Sequence, residues 1–140
     1  MSNYDRLQSI ALLPRSTFDA LVQGEPEQWR LAVKSWAQYR DQINTELTKS
    51  ALDLQKTIIA AHDDEIDLVE EEGEVSITFR GANKTFSFRG VEAIVLHPAN
   101  EPKPWGFLYG EVHPHNGSVY CHFLCDALDI YLLCAEVVRR

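Results

Sequence analysis

A turn at Asn116-Gly117, between two alternating runs of residues, constrains the fold of this 140-residue chain more than any other feature. Asn-Gly between such runs is the strongest short-range hairpin signal, because both residues tolerate positive φ angles. The pattern therefore predicts a β-hairpin over 105–126. Its turn holds either two residues or four, from Pro114 to Gly117, and both alternatives leave the same side chains on each face.

One predicted face of this hairpin is aromatic at one end and rich in His and Glu at the other. In chain order that face carries Trp105, Phe107, Tyr109, Glu111, His113, Tyr120, His122 and Leu124. The opposite face carries core-type residues: Leu108, Val112, Val119, Cys121, Phe123 and Cys125. A sheet that is apolar on both faces must have both of them covered. We therefore expect the aromatic face to lie beneath a C-terminal helix, a second copy of the chain or a partner protein.

The N-terminal part, residues 1–62, shows a helical pattern of two short helices followed by a long one. Apolar residues recur at helical spacing from Pro26 to about Ala61. This stripe consists of Trp29, Val33, Trp36, Ile43, Leu47, Leu54 and Ile58. A straight helix of that length spans about 54 Å, more than the width of a domain of this size. We expect it either to break near residues 48–50 or to project and pair with a second copy, as a homodimer.

The C-terminal part, residues 63–140, shows mainly a strand pattern. Alternating apolar residues predict a hairpin over 75–89 with a four-residue turn and one apolar face. The continuous apolar run Val91–Leu96 predicts a central strand that is covered on both faces. Residues 127–140 fit both a helix and a strand. We predict a helix there, because Asp129 suits the first turn of a helix.

The length and composition fit one domain, 1–140, with 45% apolar and 24% charged residues. The patterns predict an α+β fold in which N-terminal helices, one of them long, pack on an antiparallel meander of about six strands, with a C-terminal helix. The net charge of −8 argues against binding to a nucleic-acid backbone, which requires clustered Lys and Arg. It suits a basic partner, or simply solubility.

The cysteines and the apolar runs predict a cytoplasmic protein. Cys121, Cys125 and Cys134 are odd in number and occupy core-like positions, which is typical of free thiols in a reducing compartment. The first residues do not resemble a signal peptide. The longest unbroken apolar run, Ile130–Ala135, is far too short to span a bilayer. We therefore expect no membrane association.

An acidic run occupies residues 63–74, which hold eight carboxylates. Two alternating apolar residues inside it predict an edge strand and a turn. Charged residues on an edge strand prevent unwanted strand pairing, which is one explanation of the run. A second explanation is a surface that steers a basic partner, with Glu70, Glu71 and Glu72 at its centre. Metal binding is a third.

Glu111, His113 and His122 are the sharpest candidates for chemistry. Their side chains are ligand types for Zn²⁺, and cross-strand neighbours on one face can reach a common ion. A structural zinc site usually has four ligands, however, and the spacing of these three matches no metal motif. We therefore predict no bound metal and no cofactor. The core-like cysteines predict inert thiols, so the chain is more typical of a binding protein than of an enzyme.

We expect a small acidic cytoplasmic protein that acts by direct association with a partner protein, as an inhibitor, an immunity protein or a dedicated chaperone does. In this hypothesis Trp105, Phe107, Tyr109 and Tyr120 anchor the partner, because Tyr and Trp are enriched in interface hot spots. Two alternatives come from other classes. One is a small-ligand carrier with a cavity between helix and sheet. The other is a metal-assisted hydrolase centred on the Glu and His candidates named above.

Overall fold

A computed structural model describes residues 2–13, 15–28, 30–31, 34, 38–39, 47–61, 63–98 and 101–140. Its helices are α1 (Asn3–Ile10), α2 (Arg15–Gln23) and α3 (Lys49–Ala60), and the described residues among 26–39 are also helical. Its strands are β1 (Glu65–Glu71), β2 (Glu74–Phe79), β3 (Lys84–Arg89), β4 (Ala93–His97), β5 (Trp105–His115), β6 (Ser118–Cys125), β7 (Asp129–Cys134) and β8 (Glu136–Arg139).

The eight strands form one antiparallel sheet in the order β4-β7-β6-β5-β1-β2-β3-β8. Only Ala135 separates β7 from β8, so one bent strand pairs with β6 near one end of this order and with β3 at the other. The backbone N–H of Ala135 donates to the carbonyls of Arg89 and Gly90, at 3.0 and 3.1 Å. The sheet therefore curls round and closes on itself.

The hairpin of β5 and β6 has the two-residue turn that was one of the two alternatives. His115 pairs with Ser118, and the φ angles of Asn116 and Gly117 are 49° and 83°. Positive φ at both central residues matches the right-handed twist of the flanking strands. The hairpin continues with Glu111 directly opposite a histidine, His122.

A β-bulge at Leu108 divides the face predicted for β5. Phe107 pairs with Cys125, and Tyr109, two residues further along β5, pairs with Leu124, which is only one residue away from Cys125 on β6. The extra residue reverses the alternation of side chains. Phe107 and Trp105 therefore join the main core, while Tyr109 stays on the opposite face.

Helix α3 packs in the closed sheet, against β5 and β8. Thr48 caps its first turn, since the Thr48 hydroxyl accepts a hydrogen bond from Ala51 N at 3.3 Å. Leu54 and Ile58 of α3 are buried in the main core. A Cβ atom at Gly110 of β5 would lie 2.8 Å from Ile58 Cγ2, so the close approach of helix and strand requires glycine there.

The predicted fold class, a long helix on a meander of about six strands with a C-terminal helix, is wrong. The sheet has eight strands, and no helix bounded within the described residues exceeds the 12 residues of α3. Thr48 is the N-cap of α3, so a single helix does not run continuously from residue 26 to residue 61. The stripe residues Trp29, Val33, Trp36 and Ile43 lie outside the described residues.

The predicted C-terminal helix is replaced by β7 and β8. Ile130, Leu132 and Cys134 of β7 face the main core, while Tyr131 and Leu133 face a second apolar cluster on the other side of the sheet. A strand buried on both faces shows a continuous apolar run instead of alternation, which is why its sequence also fits a helix. No helix within the described part of the chain is long and apolar enough to cross a membrane.

Candidate functional site

The outer face of β5, β6 and β7 is covered by the N-terminal strap, which we define as residues 3–13 and 15–23. Helix α1 of the strap lies against β4 and β7. Its Leu7 is fully buried in the second apolar cluster with Tyr120 and Tyr131. The Tyr120 hydroxyl donates to the carbonyl of Leu7 at 2.8 Å. The part of the predicted aromatic face that holds Tyr120 therefore lies beneath a helix, but beneath an N-terminal one.

The carboxylate of Glu111, which is 0% exposed, fastens the strap to the sheet. The backbone N–H groups of Leu12 and Leu13 donate to its two oxygens, each at 2.8 Å. The Tyr109 hydroxyl donates to Oε2 at 3.2 Å, and His113 Nε2 lies 3.3 Å from Oε1. A carboxylate has about four acceptor positions, so these four donors saturate Glu111.

Asp129, at the start of β7, makes the second polar attachment of the strap. Arg15 Nε donates to Asp129 Oδ2 at 2.8 Å, and the same guanidinium donates to the carbonyls of Cys125 and Leu128. On its other side, Asp129 Oδ1 lies 3.2 Å from His122 Nε2. We call Glu111, His113, His122, Asp129 and Arg15 the ionic cluster.

Protonation within the ionic cluster is set by burial and by neighbouring charges. Burial favours a neutral His122, but the carboxylates of Asp129 and Glu111 outweigh burial and raise its pKa above 6.5. Burial also favours a neutral Glu111, yet the hydrogen bond from His113 and the nearby imidazole of His122 lower its pKa to about 2. At pH values below the raised pKa of His122, its imidazolium and the guanidinium of Arg15 face the side chains of Glu111 and Asp129.

This chemistry suits attachment better than catalysis or metal binding. Every acceptor position of Glu111 is occupied, so it has no free electron pair for an ion or for activating water. No group of three or more His, Cys, Asp or Glu side chains in the described part of the chain is arranged to hold a metal. The hydrolase alternative, centred on Glu111, His113 and His122, gains no support from this geometry.

The acidic hairpin, which we define as Glu70, Glu71 and Glu72, forms the exposed tip between β1 and β2. Glu72 and Gly73 make the turn with φ angles of 48° and 78°. These three carboxylates form no ion pair within the described residues. In contrast, four carboxylates elsewhere on the same sheet lie within 4 Å of an arginine: Glu65, Asp67, Glu74 and Glu136.

An open groove of about 670 Å³ lies beside the acidic hairpin, on the outer face of β1, β2 and β3. Its charged lining consists of three carboxylates, Glu71, Glu72 and Glu74, and one arginine, Arg140. The side chain of Val69, 48% exposed, adds an apolar contact area. The N-terminal strap lies on the other half of the sheet, so it does not cover this groove.

The aromatic residues predicted to anchor a partner are mostly buried. Trp105 is 1% exposed and Phe107 is 0% exposed, both in the main core. Tyr120 is 0% exposed beneath α1, and Tyr109 is half-buried. Contact of a partner with these side chains would first require displacement of the residues that cover them. The structure thus leaves Tyr109 and Tyr120 on the same face of the hairpin but places Trp105, Phe107 and the acidic hairpin elsewhere.

The chain matches no family model, and no curated protein is significantly similar to it. A function must therefore be inferred from the residues of the chain itself. Sequence reasoning assigned no role to Arg15 and placed Asp129 in a helix. An isolated Asp at the edge of an apolar run was the available signal, because a buried carboxylate needs a cationic or N–H partner.

The three cysteines are free and buried, at positions 121, 125 and 134. Burial raises the pKa of all three thiols, and that of Cys134 reaches about 12. The thiolate is the nucleophilic form, so these thiols are unreactive near neutral pH.

The ionic cluster predicts a defined pH range of maximal stability. The raised pKa of His122 contributes stability that is complete below pH 6.5 and is lost as pH rises through the folded-state pKa. The lowered pKa of Glu111 contributes stability above pH 4.5 that is lost as pH falls towards 2. We therefore expect the free energy of unfolding, measured with urea at a series of pH values, to decline on both sides of pH 4.5–6.5.

The variant His122→Gln should lose the alkaline decline while keeping the acidic one. His115→Gln, which changes a histidine outside the cluster, is the matched control and should keep both. An alkaline decline of the same size in His122→Gln and in the unsubstituted protein would contradict the assignment.

Proposed function

We propose that this protein acts by direct association with a basic protein partner in the cytoplasm, steered by the acidic hairpin. The main support for this proposal is that Glu70, Glu71 and Glu72 are exposed, adjacent in sequence and without ion pairs among the described residues. Carboxylates nearby on the same sheet, in contrast, are paired with arginines. Three like charges at consecutive positions repel one another. A cationic partner would relieve that repulsion.

The surroundings of the acidic hairpin support a protein partner. The adjoining groove offers both carboxylates and an exposed apolar side chain, Val69, so it presents a mixed surface of the kind found in protein interfaces. The net charge of −8 adds a long-range field of the same sign. An inhibitor, an immunity protein or a dedicated chaperone would use such a surface. Three buried free thiols are consistent with a reducing compartment.

The small-ligand carrier is less well supported. The space between α3 and the sheet is filled by buried side chains, including Leu54, Ile58, Phe79, Phe107 and Phe123. A homodimer was expected from a long helix and from the doubly apolar hairpin. Within this chain, α3 covers one face of that hairpin and the N-terminal strap covers the other.

Neutralising the acidic hairpin should slow association with the partner. A partner captured from the source cells is first purified, and its binding rates are then measured by stopped flow at several salt concentrations. We expect the triple variant Glu70→Gln, Glu71→Gln, Glu72→Gln to lower the association rate constant roughly tenfold at low salt. It should also flatten the salt dependence, because surface charges act over a Debye length of about 8 Å at physiological salt.

The matched control neutralises three exposed carboxylates elsewhere, Asp19→Asn, Glu25→Gln and Glu101→Gln, and so changes the net charge equally. It should keep most of the association rate. Equal slowing by both triple variants would show only a net-charge effect and would refute the acidic hairpin as the steering site. Failure to recover any partner that binds the purified protein would refute the association itself.

A further inference from the structure

We propose that the N-terminal strap is a detachable cover, which opens as a unit from the outer face of β5–β7 while the closed sheet stays folded. The proposal is independent of the acidic hairpin, which lies on the other half of the sheet. In the closed state, the strap itself occupies the outer face of these strands.

The first observation is that strap and sheet have separate apolar cores. Of the described residues, none between 2 and 23 belongs to the main core around α3. The strap contributes instead to the second cluster, through Leu7 with Tyr4, Ile10 and Ala11 at its margin. Loss of the strap therefore removes no side chain from the core that α3 and the sheet share.

The second observation is that each of the two strap helices has a single buried residue, although Tyr4 and Phe18 also make ring contacts with the sheet. Leu7 is the buried residue of α1, and Phe18 is the buried residue of α2. Two exposed apolar residues of the strap, Leu12 and Val22, are 44% and 60% exposed. Segments with little apolar burial open locally at a lower free energy than the core does.

The third observation is that several attachments of the described strap residues are polar, so water can replace them when the strap opens. Arg15 binds Asp129, and the backbone N–H groups of Leu12 and Leu13 bind Glu111. A buried ion pair contributes little net stability, because water solvates the separated charges well. Opening the strap hydrates Glu111, Asp129 and Arg15 together, so no buried charge is left unpaired.

The geometry makes Arg15 the lock of the strap. Its guanidinium reaches three acceptors on the sheet side, namely the Asp129 carboxylate and the carbonyls of Cys125 and Leu128. These acceptors lie on β6, on β7 and in the connection between them, whereas Arg15 begins α2. Removal of this side chain weakens the closed state, because Asp129 and the two carbonyls then lose a donor that water replaces only when the strap opens.

Hydrogen exchange of the full chain, followed by mass spectrometry at native pH, tests the proposal. In the unsubstituted protein, peptides covering 3–13 and 15–23 should exchange together and faster than peptides covering β6 and β7. The variant Arg15→Gln should speed exchange of both strap peptides roughly tenfold and leave β6 and β7 unchanged. The matched control is Arg6→Gln, an exposed arginine of the same strap, which should leave all rates unchanged.

Three results would overturn the proposal. The strap could exchange as slowly as β6 and β7, which would mean that it leaves only on global unfolding. Arg15→Gln could speed strap and sheet equally, which would show one cooperative unit. Arg15→Gln could also leave every rate unchanged, which would remove Arg15 as the lock. Leu7→Ala provides a second variant, with the same expected preference for the strap.

Discussion

Replacement of Phe123 by Ala should destabilise the protein by about 4 kcal/mol, the typical cost of removing a buried phenyl ring. Phe123 is 0% exposed, and its ring lies 6.1–6.4 Å from the centroids of Phe79, Phe88 and Phe107. These rings come from β2, β3 and β5, so Phe123 packs across the interior of the closed sheet. The substitution removes apolar contacts and leaves a cavity that the closed sheet cannot readily collapse.

The measurement is urea unfolding followed by tryptophan fluorescence, with the free energy of unfolding extrapolated to water. Phe123→Leu should cost less, because most of the volume is retained. Ile59→Ala is the control for truncation of an apolar side chain, since Ile59 of α3 is 53% exposed; its cost should stay within about 0.5 kcal/mol. A loss below about 1 kcal/mol for Phe123→Ala would contradict the central packing of this ring.

Replacement of Glu111 by Ala should cost about 3 kcal/mol, because removing one partner of a buried charged network leaves the others unpaired. Two backbone N–H groups of the strap, the Tyr109 hydroxyl and His113 all lose their acceptor. His122 loses a carboxylate 3.7 Å from its Nδ1 atom. We do not expect a larger loss of stability, because opening of the strap admits water to these groups.

Glu111→Gln separates charge from shape. The amide keeps one acceptor oxygen and most of the volume, so its loss of stability should lie between those of the unsubstituted protein and Glu111→Ala. Glu101→Ala, at an exposed position, should change the free energy of unfolding by less than about 0.5 kcal/mol. Urea unfolding at pH 6 compares the four proteins. Unchanged stability of Glu111→Ala would show that the network contributes nothing to the fold.

Local signals in the sequence predicted the hairpins well. The φ preference of Asn116-Gly117 selects the turn, and the alternation around it places Glu111, His122 and Tyr120 on one face. The hairpin of β2 and β3 also has its predicted apolar face. The sequence predicts Phe79 opposite Phe86, but the observed register differs by two residues, since Phe79 pairs with Lys84. A shift of two keeps every side chain on its face, so alternation alone cannot detect it.

Local sequence signals did not predict the features that depend on strand pairing or on residues distant in the chain. The bulge at Leu108 moves Trp105 and Phe107 to the core, and a single inserted residue has no periodicity to reveal it. The run at β4 was predicted as a central strand because it is apolar on both faces. It lies at the end of the sheet order, and the second apolar cluster beneath α1 covers its outer face. The sequence grouped Glu111, His113 and His122 but did not add Arg15 and Asp129 to them, because these two residues are 114 positions apart.

The bent strand of β7 and β8 also affects how the chain is made. These residues, 129–139, are the last of the eight strands in sequence, yet they join β6 to β3 and so complete the ring of strands. During synthesis on the ribosome, β1, β2 and β3 emerge before β8. The edge of β3 that later binds β8 is unoccupied during that time. Contacts between residues so distant in sequence form slowly, and exposed strand edges on unfinished chains invite pairing with other chains. The edge of β3 therefore stays open to pairing with other chains until residues 136–139 have emerged and formed β8.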